Sequence, residues 1–446
     1  MKTAVSASKR GWTGSFGFVM AAAGAAVGMG NIWRFPMMVG ENGGGAFVFV
    51  YLVCVCLIGI PMLIAEIAIG KHGRQNAFGS YQAVSKKWGG VGLLAIITSL
   101  IGLAYYTVLG GWLVRYLILS VQGMGAAPAE EFFQGFTASA PEQIGFYLFY
   151  MLITALIVAK GIKKGIEKSC KILMPILFVC LLVIAVRSCT LPGAGEGISF
   201  FLKPDFSKIT PSVWIMALGQ VFFSLSIGAG AGTTYGSYLN KKENIAKDAV
   251  MIAGFDTLAA LLAGFAVLPA VFAAGKSPAM GPSLMFIVLP EVFASMPAGK
   301  LFAFLFFLLV LFASITTTIA FLEVIVAFVE QYFQCSRKKA TALCAVLATV
   351  IGIPCALSFG VWSGVQLFGK GLFDLADYCV SNLMLPISAI CTCIFIGWVW
   401  KTGNAVKEIT DDGQIVFPLA KLWGGWIQFV LPVVIFLILL SSIGIF

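Results

Sequence analysis

Two stretches decide how this chain folds: Ala23-Gly24-Ala25-Ala26-Val27-Gly28-Met29-Gly30-Asn31, and Ser224-Leu225-Ser226-Ile227-Gly228-Ala229-Gly230-Ala231-Gly232. Each interrupts an apolar run with glycine and polar residues, at a depth where no water can pair with freed backbone groups. Such backbone is tolerated only where it is buried in protein or lines a polar cavity. Working outward, apolar runs fall near 14–37, 43–70, 90–122, 143–160, 169–190, 212–239, 246–274, 300–332, 340–358, 375–400 and 420–445. Eleven membrane-spanning helices are expected, and the breaks lie in the first and the sixth. Breaks five spans apart predict an inverted repeat of spans 1 to 5 (14–190) and 6 to 10 (212–400), with span 11 (420–445) outside it. The fold class is therefore all-α integral membrane, a single transmembrane domain over 1–446.

Composition agrees. The chain has 446 residues, 60% hydrophobic and 11% charged, with a mean hydropathy of +0.98, which excludes a soluble globular protein. Nothing is left over for a large soluble domain. The net charge of +10 reads through its sidedness rather than as a nucleic-acid signal. With the N-terminus in the cytoplasm, inner segments hold 21 of the 29 Lys and Arg, outer ones hold 7, and Arg34 lies within span 1. This bias predicts a cytoplasmic N-terminus and, with eleven spans, an outer C-terminus. The first apolar run carries no cleavage site, so it is read as an uncleaved span. The absence of any Asn-x-Ser/Thr acceptor points to a bacterial inner membrane.

The eleven cysteines lie mostly in apolar runs, without a Cys-x-x-Cys pair, and read as small hydrophobes. His72 is the single histidine, which removes His-based catalysis and His-rich metal sites. No nucleophile elbow or paired catalytic carboxylates appear, so an enzyme is not expected. Asp256, in Ala253-Gly254-Phe255-Asp256-Thr257-Leu258, is a carboxylate in an apolar stretch and needs a cation or a proton. Glu66 and Glu323 are further intramembrane carboxylates, read as structural or proton-linked.

The first break continues as Asn31-Ile32-Trp33-Arg34-Phe35-Pro36 and Glu41-Asn42-Gly43-Gly44-Gly45-Ala46-Phe47. With Gly219-Gln220-Val221-Phe222-Phe223-Ser224-Leu225-Ser226 and Ala313-Ser314-Ile315-Thr316-Thr317-Thr318, this set resembles the neurotransmitter:sodium symporter family over spans 1 to 10. The resemblance implies sodium-coupled uptake of an amino acid or related amine, through a fold like that of the bacterial leucine transporter. It implies one sodium at the Ala26 carbonyl, the Asn31 amide oxygen, Ser224, a span 7 side chain and the substrate carboxylate. A second would sit at carbonyls of Gly24, Val27 and Ala313 and the hydroxyls of Thr316 and Thr317. Neutral oxygens suit a monovalent ion, whereas calcium recruits several carboxylates.

Asp256 matches the position where relatives carry a sodium-binding asparagine, and four residues on, Ala260 replaces the serine of chloride-dependent members. Asp256 is thus expected to be the span 7 ligand and to supply the charge that chloride supplies elsewhere. The resemblance further implies that the substrate carboxylate meets amides of Gly28 to Gly30, including Met29, and the Tyr106 hydroxyl. The ammonium would meet carbonyls of Ala25 and Phe223 and the Ser226 hydroxyl. Amine-transporting members carry aspartate where this chain has Gly28, so an amino acid is expected.

Gly102, Met29, Ala229, Phe321 and Thr317 surround the side-chain end, where the small residues predict room for a bulky apolar or aromatic substrate. Arg34 and Asp377 match the outer gate, beneath which Phe223 and Tyr106 form a lid. Lys9, Trp12 and Tyr238 match the inner gate, but Gln331 stands where an aspartate is expected. Alternatives are a symporter of another small amphiphile, such as an indole or osmolyte, and a channel or non-transporting receptor. Monomer and homodimer are both compatible with the sequence.

Overall fold

The computed structural model describes residues 11–123, 128–277, 284–295 and 297–445. Among them nine helices are long and apolar enough to cross a membrane. They are Gly45–Gly73, Lys86–Gln122, Ala140–Ala159, Ile162–Cys189, Ile245–Ala273, Gly299–Tyr332, Arg337–Leu357, Leu372–Ile409 and Ala420–Ser442, numbered below as spans 2 to 5 and 7 to 11. Span 1 is the pair Ser15–Ala26 and Gly30–Glu41, bent by 54° at its break. Span 6 is split into Pro211–Ser224 and Ala231–Gly236. Both broken helices stand where the glycine pattern puts them. Span 1 runs to Glu41 and span 10 to Ile409, beyond the expected ends, because helix continues past the apolar stretch into polar sequence.

Span 8 is the centre of the molecule. In its most apolar window 83% of the residues are buried, against 28% in span 11, so a continuously apolar sequence serves protein core in one and lipid surface in the other. Spans 3 and 8 pack along their length, and the two broken helices lie beside them.

Local chemistry explains each break. Val27 leaves the helix with ψ 92°, and the chain resumes in a wide turn over Gly30–Arg34. The Gly28 N–H donates to Asn31 Oδ1 at 3.1 Å and its carbonyl accepts from Asn31 N at 3.2 Å, so one side chain closes the gap it follows. In span 6 the turn between Ser224 and Ala231 uses left-handed backbone at Ser226, Gly228 and Gly230, with φ of 52°, 89° and 79°. A Cβ at Gly228 would also stand 2.6 Å from the Leu385 carbonyl oxygen. Glu66 of span 2 accepts from the Gly228 N–H at 2.6 Å, which gives that intramembrane carboxylate a structural partner.

Gly228→Ala combines a left-handed backbone penalty of roughly 1–2 kcal/mol with a clash of similar size. It is expected to lower the thermal midpoint of the purified protein markedly. Gly219→Ala, whose added Cβ meets nothing within 4 Å, is expected to leave the midpoint near wild type.

Candidate functional site

Four helices meet at Asp256. The residue is fully buried on span 7, as are Asn31 at the break of span 1, Ser224 before that of span 6, and Tyr51 on span 2. Ser224 Oγ lies 2.9 and 2.8 Å from the two carboxylate oxygens, Asn31 Nδ2 donates to one at 2.7 Å, and the Tyr51 hydroxyl donates to the other at 3.3 Å. Asn31 Nδ2 also reaches Ser224 Oγ at 2.9 Å and the Asp256 carbonyl at 3.0 Å. Here the Asn31 amide presents its nitrogen to the carboxylate and its oxygen to Gly28. An amide donor satisfies an anion, whereas the reverse orientation would suit a cation.

Among the described residues, the hydrogen-bond partners of the Asp256 carboxylate are Asn31, Ser224 and Tyr51, all neutral. Among the described residues no Lys, Arg or His forms an ion pair with it. Tyr51 was not singled out by sequence, and neither was Gln220, whose Nε2 donates to the Gly30 carbonyl at 2.9 Å. A lone tyrosine or glutamine in an apolar run does not reveal which helix it faces.

Beside this node is an enclosed, mainly apolar cavity of about 20 Å³, room for little more than one water molecule. Gly28, Gly30, Tyr106, Phe223, Ser226, Ala229, Thr317 and Phe321 line it, together with Ala26. Thr98, Tyr105, Val380 and Leu385 also line it and were missed. Ala25 contributes its carbonyl, which accepts from the Ser226 hydroxyl at 3.3 Å. Met29 is buried in the break and is absent from the lining, as is Gly102. A Cβ on Gly102 would stand 3.3 Å from the Phe321 ring, so that ring fills the space the glycine leaves. The room expected there is closed, and the small residue on the lining is Ala229. Tyr106 packs against Phe223 at 6.2 Å between centroids and edge-on against Phe321 at 5.7 Å.

Spans 1 and 8 approach closely where the second ion is expected: a Cβ on Gly24 would meet the Thr316 Cβ at 3.2 Å. Thr316 Oγ1 donates to the Ala313 carbonyl at 2.9 Å and Thr317 Oγ1 to the same carbonyl at 3.2 Å. The hydroxyls thus bond back to their own helix, while each oxygen keeps lone pairs to offer. Val27 follows the first half of span 1 as its C-terminal cap.

The gates differ from expectation. The Arg34 guanidinium lies 4.3 Å from the Phe223 ring centroid, and Asp377 accepts from Ser381 Oγ at 3.0 Å. The two are not ion-paired with each other, because an aromatic face takes the place of the carboxylate as partner of the cation. On the inner side Lys9 lies outside the described residues. Trp12 Nε1 donates to the Tyr235 carbonyl at 3.1 Å and its ring packs edge-on against Tyr235 and Tyr238. Tyr238 donates to Glu323 at 2.7 Å, and Glu323 forms a two-contact pair with Arg337, which also lies 3.7 Å from Glu330. Gln331 instead accepts from the backbone N–H and side chain of Asn76 at 2.8 and 2.7 Å. Among the described residues the charge pair at this end is Glu323 with Arg337.

Broken membrane helices around a buried polar node and a closed cavity define an integral-membrane transporter. The chain belongs to the sodium:neurotransmitter symporter family, whose profile matches residues 9–128 and 137–446. An uncharacterised sodium-dependent transporter of Haemophilus influenzae is 40% identical, over 97% of this chain and 98% of its own length. Another, YhdH of Bacillus subtilis, is 38% identical over 97% and 98%. The crystal structure of MhsT in complex with L-phenylalanine superposes with a TM-score of 0.90 at 41% identity, covering 97% of this chain and 99% of that one.

Arg337→Ala leaves the Glu323 carboxylate buried beside Tyr238 alone, at a cost of about 3–5 kcal/mol. Its thermal midpoint is expected to fall further than that of the Arg337→Ala/Glu323→Gln double variant, which removes both charges; equal midpoints would contradict the pairing.

Proposed function

We propose that the chain is a sodium-coupled symporter that imports a bulky apolar or aromatic amino acid without requiring chloride. The observation that carries this reading is the Asp256 node: a buried carboxylate, held only by neutral donors, adjoining the cavity through the broken helices. A carboxylate in hydrocarbon calls for a cation or a proton. Sodium fits the oxygens gathered here: the Asp256 carboxylate, the Ser224 hydroxyl, the Ala26 carbonyl and the Asn31 amide once it turns its oxygen inward.

A substrate carboxylate facing the Gly28 to Gly30 segment and the Tyr106 hydroxyl would complete the shell, so ion and substrate each stabilise the other. Asp256 supplies the negative charge that chloride supplies in chloride-dependent relatives, and its protonation balances the charge on the empty return. A second sodium would use carbonyls of Gly24, Val27 and Ala313 with Thr316 and Thr317. Substrate class rests on the apolar cavity lining, on Gly28 offering no carboxylate to an amine, and on the L-phenylalanine complex of MhsT.

Sodium and substrate enter from outside, the Tyr106–Phe223 lid closes, and spans 1, 2, 6 and 7 rock against the rest. Sodium drives the cycle through differential affinity for the outward-facing state. The setting is a bacterial inner membrane, with the N-terminus cytoplasmic and the C-terminus outside, in a single transporter domain.

Asp256→Ala removes both ligand and charge, and sodium-driven uptake of labelled phenylalanine is expected to fall about tenfold or more. Undiminished uptake with wild-type sodium dependence would contradict the assignment. In a competition panel, phenylalanine, tryptophan and leucine are expected to displace the label, and indole or an osmolyte such as a betaine is not.

A further inference from the structure

The cavity beside Asp256 is closed down to about 20 Å³, so an apolar amino acid fits only if one of its walls gives way. Five helices wall it, and four are poorly suited to move back alone. The breaks of spans 1 and 6 are tied by Asn31, Gln220, Glu66 and Ser226. Spans 3 and 8 run past the cavity as unbroken helix, Gly89–Gln122 and Gly299–Tyr332. The fifth is span 10, which contributes Val380 and Leu385.

Span 10 is not a regular helix at this level. It widens over Cys379–Met384 into a turn whose hydrogen bonds reach five residues rather than four. Two residues on, Pro386 has no N–H to offer the Asn382 carbonyl. Span 11 takes over that role: Ser442 Oγ lies 2.9 Å from this carbonyl and 2.8 Å from the Leu439 carbonyl of its own helix, so one proton serves two acceptors. The widening also decides what faces the cavity. Five residues of α-helix turn through about 500°, which would set Val380 and Leu385 about 140° apart. The wide turn brings both onto the cavity side.

The two residues differ in freedom. Leu385 rests its backbone on the span 6 turn, where a Cβ at Gly228 would stand 2.6 Å from its carbonyl oxygen and 3.1 Å from its Cα. Val380 is the one buried residue of the wide turn, and its neighbours Cys379, Ser381, Asn382, Leu383 and Met384 are all partly exposed. The Val380 end is therefore a loosely packed stretch of cavity wall. We propose that Val380 determines the size of side chain this transporter accepts: the wide turn of span 10 is the wall that yields, and the far end of the substrate presses against Val380. This rests on reading the substrate as an apolar amino acid.

The test is uptake of labelled leucine and tryptophan into proteoliposomes under a sodium gradient, read as the ratio of the two kcat/KM values. Val380→Ala removes two methyl groups, and the tryptophan-to-leucine ratio is expected to rise about tenfold. Val380→Leu is expected to lower it below wild type. Ile387→Ala, at an exposed position of the same span, is expected to leave it unchanged. A purely structural Val380 would scale both substrates together, so an unchanged ratio in either Val380 variant overturns the proposal. So does a ratio that moves as far in Ile387→Ala. Failure of wild type to take up either amino acid would overturn the substrate reading and the proposal with it, whereas sodium-driven uptake with a ratio insensitive to Val380 overturns the proposal alone.

Discussion

Inside a bilayer a broken helix has no water to turn to, so each amide and carbonyl freed at the two breaks must find a partner within the protein. This constraint organises the centre of the molecule. Asn31 closes the gap at Gly28, Gln220 takes the Gly30 carbonyl, Glu66 takes the Gly228 amide, Ser226 takes the Ala25 carbonyl and Ser99 takes that of Ala229 at 2.6 Å. Five polar side chains from spans 1, 2, 3 and 6 are thereby fixed around the breaks. The price is a set of buried polar groups; the return is backbone held open beside a cavity.

Asp256 joins the same network from span 7. Its neutral donors come from spans 1, 2 and 6, so a cation drawn to the carboxylate would pull on three helices at once. Conversely, any movement that separates Asn31 or Ser224 from Asp256 removes stabilisation from a charge in a low-dielectric site. On the proposed reading, coupling of ion occupancy to helix position needs no relay through distant residues. The Glu323–Arg337 pair has a different character. It is satisfied within spans 8 and 9 and ties in Tyr238, next to the Trp12 ring, beyond the second half of span 6.

Much of this was legible in the sequence, and the limits are physical. Glycine and polar residues at membrane depth can only mark broken helices, which is why spans 1 and 6 and the lone carboxylate Asp256 stood out. Tyr51 and Gln220 did not, since a single polar residue in an apolar helix carries no sign of the face it occupies. The Gly102 pocket failed for a related reason. A glycine announces space, but whether a side chain from another helix enters it depends on packing, and Phe321 does. Arg34 shows the same limit for charge: a buried cation needs a partner, and the sequence does not say whether that partner is Asp377 or the face of Phe223. Residue type was readable wherever solvation dictated it, and pairing across helices was not.

The central claim is that a sodium ion held at Asp256 drives substrate inward without help from chloride. Uptake of labelled phenylalanine into proteoliposomes tests it most directly, comparing an inward sodium gradient with an equal potassium gradient, each in chloride and in gluconate. The account predicts accumulation under sodium alone, to the same level in both anions. Accumulation that collapses in gluconate, or that proceeds equally under potassium, would contradict it.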